Sequence, residues 1–126
     1  MDLNRIPEAS RASFVSLMAR DLEPEADMLG QIDDYMDILL DLKEGLGRQI
    51  DMHHAEALAD RARKLLGGVT PMTSEEDRRL IQGAVRYFLD ASEADRDFHP
   101  GGLVDDVEVM NAVVRHLLRT DLVIPL

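Results

Sequence analysis

Cysteine is absent from the 126 residues, so the chain has no disulfide, thiolate zinc site, iron–sulfur cluster or thiol nucleophile. Tryptophan is also missing, and aromatic residues make up only 4%. A core must then be built from Leu, Ile, Val, Ala and Met, a set better suited to helix packing than to sheets. No apolar run approaches the roughly 20 residues that cross a bilayer. The opening MDLNRIPEAS has no basic start followed by an apolar stretch, so no signal peptide is expected. These absences point to a cytoplasmic protein without a membrane span. Basic charge is scarce too: 14 Lys and Arg stand against 25 Asp and Glu, a formal net charge of −11. Such a surface repels phosphate backbones, and Arg61, Arg63 and Lys64 form the only tight basic group. Nucleic acid is therefore not an expected partner.

What is present is helical patterning. Hydrophobic residues are 45% of the chain, within the range of a globular domain, and the length suits one domain over residues 1–126. A helix is expected around Pro7 to Ala19, contributing Phe14, Leu17 and Met18. From Pro24, apolar residues recur as Leu29, Ile32, Met36, Leu39 and Leu46, one face of a second helix. Asp33, Asp34, Asp37, Asp41 and Glu44 fill its other side, and Gly45 and Gly47 are read as its stop. Asp51 is read as the N-cap of a third helix. Met52, Ala55, Ala59, Ala62 and Leu66 line it, and Gly67-Gly68 ends it. Thr73 and Glu76 have capping-box spacing before a fourth helix, which is expected to run to about Ala91. A last helix with Val107, Met110, Val114 and Leu117 is expected to finish near Thr120. No run alternates with period two and no hairpin turn appears. The sequence thus reads as all-α, a single-domain bundle of about five helices.

The stretch joining the last two helices carries the one recognisable pattern. It runs from Tyr87-Phe88 through Glu93, Asp97-Phe98, Pro100 and Gly101 to Asp105-Asp106. This resembles the YkvA-like family of small bacterial proteins of unknown function, over residues 78–118. Ala91 and Arg96 replace two prolines of the family pattern, Ala94 and Asp95 interrupt its aliphatic residues, and the glycine turn is one residue shorter. The resemblance implies a helical fold and brings no activity. Tyr87, Phe88, Phe98, Pro100 and Gly101 are its loop-structural residues.

Two readings of the acidic residues stand side by side. Glu93, Asp95, Asp97, Asp105 and Asp106, with His99 nearby, offer oxygens and an imidazole to a divalent cation. From Asp95, carboxylates fall at positions one, three and twelve of a calcium-type loop, but position six is Pro100 where glycine is needed. Alternatively Asp105 and Asp106 cap the start of a helix and favour its dipole, with Glu108 in capping-box register.

No catalytic set is found. His53 and Glu56 lie three apart, the reverse of the bundle metal motif, and read with His54 and Asp60 as surface or capping residues. His116 reads as a boundary residue. No serine sits in a nucleophile elbow and no glycine-rich phosphate loop occurs. The leading expectation is a non-enzymatic interaction or regulatory module with a protein partner or a second copy of itself. The apolar Leu122-Val123-Ile124-Pro125-Leu126 either caps the core or docks another subunit. The alternatives are a divalent-cation-binding protein and an acidic inhibitor of a basic partner, as antitoxin or immunity proteins are.

Overall fold

The computed structural model describes residues 1–46, 52–90 and 103–126. Five α-helices follow one another: α1 (Glu8–Met18), α2 (Glu25–Leu46), α3 (Met52–Gly67), α4 (Glu75–Leu89) and α5 (Val104–His116). Short 3-10 turns lie at Leu3–Arg5 and Thr120–Leu122. The chain is all-helical, and the described residues contain no strand.

α4 is the axis about which the others pack. It touches α1, α2, α3 and α5, and every side chain from Leu80 to Phe88 is buried. The reason is visible on the helical wheel: between Leu80 and Leu89 only Gln82, Gly83 and Arg86 are not apolar, so no side of the helix suits water. Phe88 meets Tyr35 of α2 edge to face, with ring centroids 5.1 Å apart and planes at 73°. The expected stripes lie for the most part where the spacing puts them, with Met28 rather than Leu29 fully buried in α2 and Leu117 half-buried just past the end of α5. Ile32, Met36 and Leu39 of α2 are buried, as are Ala55, Ala59, Ala62 and Leu66 of α3 and Val107, Met110 and Val114 of α5.

Several boundaries differ from expectation. Ser74, not Thr73, caps α4: its hydroxyl accepts from the Asp77 N–H at 3.1 Å, while the Thr73 hydroxyl accepts from Thr70 in the preceding turn. The cap position of α5 belongs to Leu103, whose side chain makes no capping bond; Asp105 and Asp106 stand in the first turn. The glycine stops hold: α2 ends at Leu46, between Gly45 and Gly47, and α3 ends at Gly67, the first of the Gly67-Gly68 pair. Gly47, Asp51, Ala91 and the Leu46 side chain lie outside the described residues. α5 stops at His116, four residues short of Thr120.

Candidate functional site

Of the residues proposed for a cation, Glu93, Asp95 and Asp97 lie outside the described residues, as do Phe98, Pro100 and Gly101. Asp105 is exposed on α5 and Asp106 is buried beside it. Among the described residues no group of three or more His, Asp or Glu could hold a metal ion. Tyr87 and Phe88 sit in the last turns of α4 and are buried in the core, the Tyr87 hydroxyl donating to the Ser10 hydroxyl of α1 at 2.9 Å. His53 is exposed and its ring lies 5.6 Å from that of His54.

A polar cluster that the sequence reading passed over occupies the face of α4 toward the α1–α2 connection. Gln82 and Arg86 are one turn apart and both buried. The Gln82 amide donates to the Glu23 carbonyl (2.9 Å) and accepts from the Glu23 N–H (3.0 Å). Arg86 donates to the carbonyls of Leu17 (3.1 Å) and Asp21 and to the Glu23 carboxylate (3.1 Å). Arg79 adds bonds to the carbonyls of Met18 and Arg20. Two α4 side chains, Arg79 and Arg86, thus satisfy the last carbonyls of α1, where a cation also suits the dipole, while Gln82 holds the connection at Glu23. A cavity of about 320 Å³ opens beside them, lined by Leu17, Arg20, Gln31 and Leu89 among others. Each Arg86 nitrogen already donates within the chain, so this cluster is a clamp on the connection. The signal for it was the pair of polar residues at helical spacing inside an otherwise apolar segment.

The clamp sets the charge of two acids. The Gln31 amide, then Arg86, hold the Glu23 carboxyl below its ordinary value against the opposing effect of burial. At Glu25 burial pushes the carboxyl up, but the hydrogen bond from Arg78 (2.8 Å), a backbone bond and the Arg78 charge together bring it below the ordinary value.

The outward face of α2 is different in kind. Asp33, Asp34, Asp37, Asp41 and Glu44 are all exposed on it. Asp33, Asp37 and Asp41 are four apart, and Asp34–Asp37 and Asp41–Glu44 three apart, so neighbours along the ridge carry like charge. Asp33 pairs with Arg63 of α3 at 2.8 Å. Among the described residues no basic side chain pairs with Asp34, Asp37, Asp41 or Glu44. The remaining members of the basic group are engaged elsewhere, since Arg61 and Lys64 both pair with Asp60. Ile38 (55% exposed) and Leu40 (40%) flank the ridge. Two residues apart on a helix, they fall on opposite shoulders of it.

Comparison with known proteins gives no name to this arrangement: no family model, no curated protein and no solved structure matches the chain. No helix among the described residues is long and apolar enough to cross a membrane.

Proposed function

We propose that the chain is a non-enzymatic interaction module that engages a basic protein through the acidic ridge of α2. One observation carries this reading: the run of exposed like charges from Asp33 to Glu44, most of it unpaired among the described residues. Like charges three or four apart cost a helix roughly 0.2–0.5 kcal/mol per pair. A solvated face needs none of that repulsion, whereas a basic partner turns it into complementarity and faster encounter. Ile38 and Leu40 on the shoulders would add apolar area to such a contact. The likeness of residues 78–118 to the YkvA-like family is compatible with this reading and adds no activity to it.

The test compares the intact chain with the triple variant Asp34→Asn, Asp37→Asn, Asp41→Asn as baits in host lysate at low salt. The native chain is expected to retain a protein of high isoelectric point, released as salt is raised. The variant is expected to lose it while melting slightly higher, since the repulsion is gone. Identical retention by both forms rejects the ridge as the contact surface.

A further inference from the structure

α5 stops where its sequence gives no order to stop. The stripe of Val107, Met110 and Val114 continues at Leu117, and no glycine follows. The end is nonetheless sharp. The Leu118 N–H donates to the Arg115 carbonyl (3.1 Å) and the Arg119 N–H to the Val114 carbonyl (2.8 Å), a Schellman closure. Such a closure needs one left-handed residue, and here it is Leu118 at φ 60°. Glycine takes that conformation freely, while a Cβ crowds the following carbonyl. Leu118 is 84% exposed, so no packing of its side chain compensates.

Beyond this hinge the chain enters a built receiving site. The buried Asn111 amide of α5 donates to the Ile124 carbonyl (2.9 Å) and accepts from the Ile124 N–H (2.7 Å). Arg61 of α3 donates to the Leu122 carbonyl (3.1 Å). The Leu122 and Ile124 side chains, two apart, are both buried. The site therefore reads backbone polar groups and two buried side chains, one at the end of the 3-10 turn and one just beyond it. Nothing in those contacts depends on the segment and the site belonging to one copy.

We infer that residues 119–126 exchange between two copies of this chain, each laying Leu122 and Ile124 into the α3–α5 site of the other. Turning Leu118 into the right-handed region continues α5 past His116 and carries the segment away from its own site. In the two-fold pair every bond to Asn111 and Arg61 is remade across the copies, and the arrangement closes on itself. A short hinge under strain favours such an exchange. The inference is independent of the acidic ridge on α2.

Light scattering across a concentration series, on the intact chain refolded at high concentration, tests it. A dimer is expected, and Leu118→Gly weakens it by about thirtyfold, because two closed hinges per pair are relieved of crowding. A dimer of unchanged strength in Leu118→Gly would show that the copies meet elsewhere, and a monomer at every concentration overturns the inference as well. A second measurement mixes Asn111→Ala chains with Ile124→Asp chains. Each lacks one half of the contact, and only the mixed pair has a whole site. Dimer that forms on mixing and in neither variant alone supports the exchange; no gain on mixing sinks it.

Discussion

Glu23 joins the α1–α2 connection to the central helix through three kinds of bond. Its backbone N–H and carbonyl are both held by Gln82, and its carboxylate takes bonds from Arg86 and from Gln31. The Gln31 amide and then Arg86 lower its pKa from the ordinary 4.5. A carboxyl lowered on folding adds stability above its unfolded value, and that stability is lost as pH falls through the folded value. Glu25, lowered on balance beside Arg78, adds to the same trend. The expected outcome is a urea midpoint that falls on acidification below about pH 4.5. In Glu23→Gln the midpoint is expected lower than native at pH 7, with the gap narrowing as pH falls through the folded value of Glu23. A gap that stays the same across an acid titration would show that the carboxylate charge contributes nothing to the clamp.

At the scale of elements, α1 and α4 approach each other closely at Gly83. A Cβ built on Gly83 lies 3.2 Å from the Met18 Cβ and 3.3 Å from its Cα. Glycine inside a helix costs about 1 kcal/mol relative to alanine, and here the close approach of two helices offsets it. Valine at this position adds branched carbons where one already crowds the backbone of α1, so Gly83→Val is expected to lower stability by about 2 kcal/mol. Urea unfolding measures it, and a variant as stable as native would mean that α1 slides aside without loss. The helices themselves were legible because their apolar residues recur at three- and four-residue steps, as Ile32, Met36 and Leu39 do. Their ends were less so. Thr73 and Ser74 are both good caps, and only the turn built on Thr70 decides between them. The early end of α5 has no local signal, because it is set by docking Ile124 onto Asn111 thirteen residues away. The enclosure of Gln82 and Arg86 depends in the same way on a connection some sixty residues upstream. Most of the proposed cation loop lies outside the described residues; its buried end at Asp106 stands four residues before Met110, on the period of the α5 stripe, although its residue type pointed to a cap or a cation.

For the molecule as a whole, charge rather than packing separates this bundle from a generic one. A formal net charge of −11 makes the compact state repel itself, and salt screens that repulsion over about 10 Å at 0.1 M. The ion pairs answer in the opposite sense, but they do not weigh equally. Those on the surface, such as Arg63–Asp33 and Arg119–Asp121, contribute little when exposed. The more sheltered Arg86–Glu23 and Arg78–Glu25 are screened less. Repulsion should therefore dominate the response. Between low salt and about 0.5 M sodium chloride the melting temperature is expected to rise by roughly 3 °C, the shift that about 1 kcal/mol gives a domain of this size. Because the densest like charge lies along α2, the rise is expected to shrink markedly in the Asp34→Asn, Asp37→Asn, Asp41→Asn variant. A melting temperature that falls with salt would make attraction between opposite charges the larger effect. A rise left whole in the variant would move the repulsion off the ridge, and with it the reason for expecting a basic partner there.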